Sequence, residues 1–441
     1  MVEFYRETEF KETEVGKVPI DWEVVKLGGI CDFKRGFSYR SSQITKEPTS
    51  IRFITINDIK KEGGLKKGAE KIYLKDDVNV EPDLFLNEGD ILIANTDMSK
   101  GFIIGAPILI KGLHEQDKRL VYSMDLTKLV FDENTVNSTF LFYLLTYKPV
   151  RQKMKSFAQG TNVLHLNHKL AMNLKIPFPP LEEQGLIAGI LYSMDEAIRA
   201  VDASIAKYER LKRGLMQELL TKGIGHKEFR EETEIGKIPR EWEVIKLRDI
   251  ILEAKPGFAC GKRDENGIIQ LRMDSIKTDG WINTEAFVKI PLPDNVDNYL
   301  LKPGDILFVN TSGSYDLIGK TALFRGEFAK CVYSNHLTRI RVREEITSST
   351  WVFYTLMRLW QKGLFKALCN VQAGGQKNVK TSTLLNICIP LPPLEEQRYI
   401  AEILSSVDKV IEEKKRKKRR LERMKKAITD LLLTGKVRVR A

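Results

Sequence analysis

The stretch FKETEVGKVPIDWEVVKL at residues 10–27 returns almost unchanged as FREETEIGKIPREWEVIKL at residues 229–247. From the shared Thr-Glu onward the two copies align without a gap, and matching positions differ by 220. The matched pairs are Thr13 and Thr233, Gly16 and Gly236, Pro19 and Pro239, and Trp22 and Trp242. A second motif, PPLEEQ, occurs at 179–184 and again at 392–397, a shift of 213. The chain is therefore predicted to be an internal duplication.

Weaker repeats lie in the same order between these two motifs. They are GDILIANT at 89–96 with GDILFVNT at 304–311, VYS at 121–123 with VYS at 332–334, and STFLFYLL at 138–145 with STWVFYTL at 349–356. The spacing is too long for a solenoid, whose repeats run roughly 20–50 residues. The copies diverge most between Cys31 and Phe53 and between Ile251 and Gln270. A duplicated scaffold with different surface segments indicates two related modules that recognise different targets.

Length and composition describe a folded protein of more than one domain. The chain has 441 residues, and this length exceeds what one hydrophobic core usually organises. Hydrophobic residues make up 42% of the chain and charged residues 29%, a composition that argues against disorder. Its longest nearly uncharged apolar stretch, Gly101 to Ile110, is far shorter than the about 20 residues of a membrane-spanning helix. The N-terminus lacks the apolar run of a signal peptide. We therefore expect a cytoplasmic protein.

Charge and cysteine content narrow the class of partner and the redox compartment. The formal net charge of +12 favours a polyanionic partner such as nucleic acid, although basic composition alone is weak evidence. No cysteines form a C-x-x-C pair, so we expect reduced, buried thiols and neither a disulfide framework nor a zinc site. The five cysteines are Cys31, Cys260, Cys331, Cys369 and Cys388.

Each PPLEEQ motif is followed by a pattern typical of a long helix. Proline suits a helix entrance, and the glutamates, Glu182 and Glu183 in the first copy, complement the positive end of the helix dipole. Apolar residues then alternate at spacings of four and three, the seam of a coiled coil. Packing within one domain is the alternative interpretation. The interface residues predicted from the seam are Ile187, Leu191, Met194, Ile198, Val201 and Ile205 in the first helix, and Ile400, Leu404, Val407 and Ile411 in the second.

Basic residues interrupt both seams. Lys212 breaks the first, and Lys414, Lys418 and Lys425 interrupt the second. The second helix also contains the run KKRKKRR at 414–420. A solvated helix face and a contact with phosphate or a partner explain this run equally well, and a localisation signal is a weaker third interpretation.

The duplication predicts how the helices pair. Related copies paired about a pseudo-twofold axis place their helices antiparallel, with one module at each end. The tail KVRVRA at 436–441 then corresponds to the linker after the first helix, so the chain's end is expected near its beginning. The predicted fold is α+β: two globular domains, each followed by a long α-helix, the two helices pairing as an antiparallel coiled coil with pseudo-twofold symmetry.

Catalytic motifs do not emerge from the sequence. IGKT at 318–321 lacks the glycine that a phosphate-binding loop needs four residues earlier, because that position is Ser314. His165 and His168 have no acidic or cysteine ligand nearby and no counterpart in the second copy, which favours a polar loop or helix start. We expect a non-catalytic chain without a metal site.

The two motifs and their order resemble the specificity subunit of type I restriction–modification systems. The resemblance rests on G-K-x-P-x-x-W-E-V-x-K-L at Gly16–Leu27 and Gly236–Leu247, and on I-P-x-P-P-L-E-E-Q at Ile176–Gln184 and Ile389–Gln397. It covers nearly the whole chain. It implies a target recognition domain at 1–180, a spacer helix at 181–222, a second recognition domain at 223–393, and a second spacer helix with a basic tail at 394–441.

In that family each module recognises one half of a bipartite DNA sequence, and the helices fix the spacing and dock the methyltransferase subunits, through which the restriction–translocase subunits join. The resemblance implies that S-adenosylmethionine and ATP bind to partner subunits, and that the chain directs methylation and cleavage without catalysing either. A coiled-coil scaffold that binds proteins and has no DNA specificity is the alternative function.

Candidate DNA contacts lie where divergent or glycine-rich loops carry amide and basic side chains. In the first module they are Lys34, Arg35, Arg40, Asn57, Lys60, Asn95, Lys100, Gln159, Thr161 and Asn162. In the second they are Lys262, Arg263, Arg272, Asn310, Ser312, Gln376, Lys377 and Asn378.

Overall fold

A computed structural model describes residues 3–66, 68–98, 102–112, 119–231, 233–371 and 375–440. The chain divides into two compact units. Unit one contains Met1–Asp202 and Arg416–Ala441, and unit two contains Ala203–Lys415. Each unit thus holds one module together with about half of each long helix.

The first module is built mainly of short strands, and its short α-helices follow β13. Its strands are β1 (Glu3–Arg6), β2 (Phe10–Thr13), β3 (Gly16–Pro19), β4 (Glu23–Lys26), β5 (Asp32–Arg35), β6 (Ile44–Thr45), β7 (Ile51–Ile54), β8 (Ile72–Leu74), β9 (Ile91–Ala94), β10 (Thr96–Asp97), β11 (Pro107–Leu109), β12 (Arg119–Tyr122), β13 (Leu126–Val130), β14 (Ala158–Gln159), β15 (Leu164–Leu166) and β16 (Lys175–Phe178). Its helices are α1 (Ser138–Thr146), α2 (Lys148–Lys155) and α3 (His168–Met172), followed by the first long helix α4 (Leu181–Lys222).

Two four-stranded sheets form the body of this module, in the orders β11-β9-β13-β5 and β12-β7-β8-β6. The fully buried run of β9 fits a central strand, because both of its faces are covered. Gly36 follows β5 where the chain passes directly over the carbonyl of Ser123, and a Cβ there would lie 2.2 Å from that oxygen. Only glycine permits this approach. Gly257 makes the same approach to Ser334 in the second module.

The second module repeats this construction. Its strands are β17 (Phe229–Arg230), β18 (Ile238–Pro239), β19 (Glu243–Lys246), β20 (Ile251–Pro256), β21 (Ile268–Leu271), β22 (Val288–Ile290), β23 (Ile306–Val309), β24 (Thr311–Ser312), β25 (Thr321–Leu323), β26 (Cys331–Tyr333), β27 (Leu337–Val342), β28 (Asn370–Val371), β29 (Lys377–Asn378) and β30 (Cys388–Leu391). Its helices are α5 (Leu247–Ile250), α6 (Ser349–Gln361), α7 (Leu364–Leu368) and α8 (Thr381–Leu385), followed by the second long helix α9 (Leu394–Leu433) and the terminal strand β31 (Val437–Arg440). The sheet orders β20-β27-β23-β25 and β22-β21-β26 correspond to those of the first module.

The two repeated motifs meet inside each unit. In unit one the buried Trp22 donates its indole N–H to Glu183 at 2.9 Å. In unit two Trp242 donates to Glu396, also at 2.9 Å. The glutamate that the sequence assigned to the helix dipole alone is therefore also the acceptor for the repeated tryptophan of the other motif, so each module is fastened to the start of its long helix.

The glutamine of each PPLEEQ motif joins that helix start to the start of an earlier short helix, α1 in unit one and α6 in unit two. The side chain of Gln184 donates to the Pro179 carbonyl at 2.9 Å and accepts from the backbone N–H of Asn137, the N-cap residue of α1, at 2.9 Å. In unit two Gln397 donates to Pro392 at 2.8 Å and accepts from the Ser348 N–H at 3.0 Å. Both glutamines are buried, which explains why the motif ends in a residue that donates and accepts.

The long helices pair antiparallel in each unit. In unit one Lys425 of α9 pairs with Asp195 of α4 at 2.6 Å, and Lys418 pairs with Asp202 at 2.7 Å. In unit two Lys212 of α4 pairs with Asp408 of α9 at 2.7 Å. Residue numbers rise along one helix as they fall along the other, which defines the antiparallel direction.

The lysines interpreted as interruptions are thus partners of acids or rings on the facing helix. Besides the three ion pairs, the Lys414 ammonium lies 5.1 Å from the centre of the Tyr208 ring. Lys415, in the basic run, contacts Glu209 at 3.2 Å and Asp279 at 3.0 Å. Part of the run therefore forms ion pairs within the protein, while Arg416, Lys417 and Arg420 are exposed. These lysines interrupt the apolar pattern of the seam, but the helices stay paired through them.

The predicted α+β fold with two modules and paired long helices is confirmed. The chain's ends also meet, since β1 pairs antiparallel with β31, Glu3 opposite Arg440. Within the part of the chain that the structure describes, no helix combines the length and the apolar character needed to cross a membrane. All five cysteines are free, but only Cys31 and Cys331 are buried and the other three are half-buried; burial raises the pKa of both buried thiols to about 12.

Candidate nucleic-acid interface

A three-stranded sheet in the first module brings two distant loops together. In this sheet β15 lies between β10 and β14, with His165 opposite both Thr96 and Gln159. The hairpin formed by β14 and β15 is therefore held beside the loop that follows β10. This places the predicted contacts Gln159, Thr161 and Asn162, all exposed, next to that loop. We call the hairpin 158–166 and the described loop residues 98 and 102–103 the first hairpin–loop surface.

The second module builds the same surface with different side chains. Here β29 lies between β24 and β28, with Ser312 opposite Lys377 and Thr311 opposite Asn378. The second hairpin–loop surface comprises the described hairpin residues 370–371 and 375–378 and the loop 313–318. Predicted contacts more than 60 residues apart in sequence are thus neighbours in space.

A buried polar layer supports the first surface. Asn95 accepts a hydrogen bond from the Thr127 hydroxyl at 2.8 Å, and its side-chain oxygen lies 3.0 Å from Nε2 of His168. Burial, and after it the charge of Arg35, lowers the pKa of His168. The ring is therefore mainly neutral at pH 7 and donates from Nε2 to this oxygen. The backbone N–H of Asn95 donates to the Asp125 carbonyl at 2.7 Å.

Asn310 occupies the equivalent position in the second module. Its amide donates to the Thr338 hydroxyl at 2.9 Å and to the Asn335 carbonyl at 3.2 Å. Asn378 donates to the Asn310 carbonyl at 3.2 Å and to the Thr311 hydroxyl at 2.8 Å. In both modules the asparagine of the repeated G-D-I-L-x-x-N-T motif therefore holds the loop against its neighbours. It is buried and supports the surface from beneath.

An aromatic ring flanked by lysines stands at the first surface. The Phe102 side chain is 42% exposed, and the ammonium groups of Lys61 and Lys155 lie 4.6 Å and 5.8 Å from its ring centre. Met98 in the same loop is 76% exposed. Exposed rings with cations beside them suit duplex DNA, because an apolar ring can contact base edges such as the thymine methyl group while the lysines contact phosphates.

A buried arginine adds positive charge to this region. Arg151 donates to the Phe102 carbonyl at 3.0 Å and to the Lys61 carbonyl at 3.3 Å, and burial lowers its pKa to about 10, so it stays protonated at neutral pH. The pKa of Lys155 is lowered first by burial and then by the positive charge of Arg151, although Glu62 and Asp97 oppose the shift. A bound anion would stabilise these neighbouring cations, because its charge offsets their mutual repulsion.

The second surface carries Tyr315 in place of Phe102. Its side chain is 41% exposed, and the ammonium groups of Lys377 and Lys366 lie 4.7 Å and 6.0 Å from its ring centre. Lys377 also donates to the Gly313 carbonyl at 2.9 Å, which fixes the hairpin to the loop. The arrangement recurs, but the ring and the hairpin sequence differ, as expected of two modules with different targets.

The predicted contacts occupy three environments. Exposed residues are Arg35, Arg40, Asn57, Lys60, Gln159, Thr161, Asn162, Lys262, Arg263 and Gln376. Half-buried residues are Lys34, Arg272, Lys377 and Asn378. Buried residues are Asn95, Asn310 and Ser312. Lys100 lies outside the described residues.

Several predicted contacts lie away from the hairpin–loop surfaces. The Lys34 ammonium pairs with Asp83. Arg35 donates to the Met124 carbonyl at 3.2 Å, beside the His168 end of the buried polar layer. In the second module Arg263 donates to the carbonyls of Cys260 and Lys262, within its own exposed loop. The structure therefore gathers six of the 17 described candidates into the two surfaces, with Asn95, Asn310 and Ser312 buried beside them.

The predicted helix-interface residues are buried or half-buried within the protein. Ile187 and Leu191 belong to the core of the first module, and Ile400 and Leu404 to that of the second. Val201, Ile205, Val407 and Ile411 are buried along the helices, whereas Met194 and Ile198 are half-buried.

Sequence reasoning missed Phe102, Tyr315, Lys61, Lys155, Lys366 and Arg151. An aromatic residue inside a short loop rich in glycine and serine was a signal for Tyr315, since such a loop cannot bury a ring. The flanking lysines carry no local signal because they come from other elements. His168 begins α3, as the prediction of a helix start has it, whereas His165 lies in strand β15 and not in a polar loop.

The side chains of IGKT are used internally. Lys320 is buried and donates to the Met273 carbonyl at 3.2 Å, and Phe365 packs against Gly319 so closely that a Cβ there would clash with the ring. Among the described residues no His, Cys, Asp and Glu side chains are grouped to hold a metal ion. The fold and these surfaces define a class of protein: a duplicated recognition protein whose two modules are carried by paired helices.

Comparison with known sequences identifies the family. The family model described as the type I restriction modification DNA specificity domain matches residues 19–208 and again 239–423. The chain therefore belongs to the type I restriction–modification DNA specificity family, whose role is recognition of a DNA target. The two matches coincide with the duplication seen in the sequence.

Relatives of this family resemble the chain over at least 90% of its length. The type I restriction enzyme MjaVIII specificity subunit of Methanocaldococcus jannaschii is 31% identical, over 100% of this chain and 98% of its own length. The EcoKI specificity subunit of Escherichia coli K12 is 21% identical, over 90% of this chain and 83% of its own. The prediction of a non-catalytic specificity subunit is confirmed by these relatives.

Solved structures show the same fold. The type I S subunit from M. genitalium superposes with a TM-score of 0.60 at 16% identity, covering 94% of this chain and 96% of its own. A chain from a structure on complex assembly and conformational transition of the type I system gives a TM-score of 0.52 at 20% identity, covering 95% and 99%.

Proposed function

We propose that the chain recognises a bipartite, asymmetric DNA sequence and directs methylation and cleavage by partner subunits. The observation that carries this proposal is the recurrence of the hairpin–loop surface with unlike side chains. Each surface offers an exposed ring flanked by lysines, Phe102 in one and Tyr315 in the other. Two similar but unequal surfaces suit two unequal half-sites.

The proposed function divides the reaction between this chain and its partner subunits. Methyltransferase subunits and restriction–translocase subunits would supply S-adenosylmethionine and ATP chemistry, and this chain would supply the choice of target. The exposed basic residues Arg416, Lys417 and Arg420 of α9 are available to DNA phosphate or to an acidic partner surface. A cytoplasmic location, where host DNA and reduced thiols are found, belongs to the same proposal.

Mapping DNA methylation in a host tests this function. Expression of the chain with its methyltransferase subunits should produce methylation at one bipartite motif, and deletion of its gene should abolish it. An unchanged methylation pattern in both strains would contradict the proposal.

Variants of the first surface test where that recognition resides. Replacing Gln159, Thr161 and Asn162 by alanine should relax base preference in one half-site only. Reversing Lys61 and Lys155 to glutamate should weaken binding to all sequences and flatten its salt dependence, because about two phosphate contacts are lost. The matched control reverses two exposed lysines away from the surfaces, Lys17→Glu with Lys237→Glu, which pair with Glu12 and Glu231, and should leave binding unchanged. An equal effect of this control would show that only net charge matters.

A further inference from the structure

The same three side chains meet in each unit where the module touches the helix pair. In unit one the Tyr143 hydroxyl of α1 donates to Asp195 of α4 at 2.6 Å, and Lys425 of α9 contacts the other oxygen of Asp195 at 2.6 Å. The Lys425 ammonium also lies 5.3 Å from the Tyr143 ring centre. We call Tyr143, Asp195 and Lys425 the first triad.

Unit two contains the second triad, Tyr354, Asp408 and Lys212. The Tyr354 hydroxyl of α6 donates to Asp408 of α9 at 2.7 Å, and Lys212 of α4 contacts the other oxygen of Asp408 at 2.7 Å. The Lys212 ammonium lies 5.6 Å from the Tyr354 ring centre. Every contact of the first triad recurs within 0.3 Å, although the two lysines belong to opposite long helices.

We propose that these triads are positioning residues that fix the register of the helix pair and the seat of each module on it, and thereby set the half-site separation that the protein accepts. The part concerning half-sites rests on the proposed function. Each triad ties together three elements: a short helix of the module, the long helix that follows it, and the antiparallel partner helix.

Chemistry favours register over stability as the role of the triads. The side chains of Asp408 and Lys212 are 4% and 9% exposed, and removing such a pair from water offsets most of its attraction. Buried polar pairs in helical seams are best attested as devices that specify one pairing among several. Burial and the hydrogen bond to Asp408 both raise the pKa of Tyr354, so the hydroxyl remains a donor at neutral pH.

The sequence of the seam shows what the triads exclude. In the observed register the facing residue numbers add to 620, as for Asp195 with Lys425 and Asp408 with Lys212. A slip of one heptad in one direction would place Asp408 opposite Ile205, although Asp195 would then meet Lys418. A slip in the other direction would place Asp195 opposite Leu432 and Asp408 opposite Leu219. Apolar heptads alone tolerate such slips, whereas an unpaired buried carboxylate does not.

The size of an excluded slip matters for DNA. Seven residues of helix span about 10.5 Å, which equals about three base pairs at 3.4 Å each. A helix pair that populates more than one register would therefore accept more than one separation between half-sites.

The test replaces the second triad by apolar residues of similar volume: Tyr354→Phe, Asp408→Leu and Lys212→Met together. The control carries Glu218→Leu and Lys222→Met, which remove an exposed ion pair of 3.0 Å on the same helix. Nitroxide labels at the exposed positions 207 and 409, both in unit two, report the register by their distance distribution. Cys260, Cys369 and Cys388 are replaced by serine so that labelling is specific.

The DNA readout uses the chain in complex with its methyltransferase subunits. Binding is measured to duplexes that carry both half-sites at the native separation and at separations one to three base pairs shorter or longer. We expect the triple variant to broaden the distance distribution and to lower its discrimination between native and altered separations at least tenfold, while the control keeps both. A purely structural role would instead weaken binding to all duplexes in proportion.

Each outcome decides the point. An unchanged distance distribution overturns the proposal, and so does a broadened distribution with full discrimination between separations. Should the triple variant fail to fold, Lys425→Met in the half-buried first triad makes the same test and is expected to lower discrimination at least threefold. Wild-type protein that binds no duplex specifically would overturn the proposed function, and the half-site part of this inference with it; the label distances would still report the register.

Discussion

At the scale of single residues, Glu183 and Glu396 connect features that are far apart in the sequence. Each accepts the indole N–H of the repeated tryptophan, but the third partner differs between the units. In unit one Arg438 of the terminal strand donates to Glu183 at 2.7 Å and 2.8 Å. In unit two His226, from the linker after α4, lies 2.9 Å from Glu396. The correspondence between the chain's tail and that linker therefore extends to a pair of side chains with the same role.

Asp21 should contribute fully to stability above about pH 4 and progressively less as the pH falls below that value. The hydrogen bond from Arg438 lowers the pKa of Asp21 below its ordinary 3.8, so its contribution is complete above the unfolded-state value, about 3.9, and disappears as pH falls through the lower folded-state value. Since Asp21 is more than half exposed, Asp21→Asn should cost only about 0.5–1 kcal/mol at neutral pH. Urea denaturation from pH 7 to pH 3 measures this difference.

The comparison with wild type isolates Asp21 from its neighbours. Glu7 also has a lowered pKa, first because the Glu9 N–H donates to it and then through Arg438, but it titrates in both proteins. The difference between the two proteins should stay constant from pH 7 to pH 5 and shrink below pH 4. A difference that grows as the pH falls would contradict the assignment.

At the scale of elements, the heptad pattern predicted the long helices well. The observed α4, Leu181–Lys222, follows the predicted helix because proline, acidic residues and apolar periodicity are local signals. The role of Lys212, Lys418 and Lys425 was not predictable in the same way. A lysine in a seam is a defect or a partner depending on what faces it, and the facing residue depends on the register of two helices.

The hairpin–loop surfaces were predicted only in part for a related reason. The polar tract Gln159–Asn162 is recognisable from its composition, since glycine and amides mark an exposed turn. Phe102 and Lys155 meet only because β10 pairs with β15 and α2 packs nearby, and such long-range pairing leaves no trace in local sequence.

Gly160 should be essential to the shape of the first hairpin, and its replacement should leave recognition by the second module unchanged. Its φ is +121°, and a Cβ would lie 2.3 Å from the carbonyl oxygen of Val163, so Gly160→Ala must reshape the hairpin. We expect at least a tenfold loss of DNA affinity, about 1.4 kcal/mol, confined to the half-site recognised by the first module. Fluorescence anisotropy with duplexes altered in one half-site at a time measures it.

The matched control for this variant is Gly225→Ala. Gly225 also has a positive φ, +74°, but a Cβ added there would have no atom within 4 Å, so it shares the backbone strain and not the clash. An equal loss of affinity in both variants would show that the effect is general destabilisation rather than a reshaped hairpin.

At the scale of the whole molecule, the chain is closed by its own termini. The four residues of β1 pair with the four of β31, and the Glu7 N–H donates to the Lys436 carbonyl at 3.2 Å. Arg438 adds contacts to Glu7 and Asp21 at 2.8 Å each. Because unit one contains both ends of the chain, it is complete only when the last strand has returned to the first. The sequence predicted this closure from the duplication, because the tail corresponds to the linker after the first helix.

Closure of this kind predicts that the chain tolerates a circular permutation. Joining residue 441 to residue 1 through a short Gly-Ser linker bridges strands that are already adjacent, and new termini between Lys227 and Glu228 fall in an exposed part of the linker after α4. We expect the permuted chain to keep its thermal midpoint within a few degrees and its DNA specificity.

Deleting 434–441 should instead leave Glu183 buried without Arg438, at a cost of about 3–5 kcal/mol. Scanning calorimetry and duplex binding compare the three proteins, and a permuted chain as damaged as the truncated one would show that the termini must be free rather than merely adjacent.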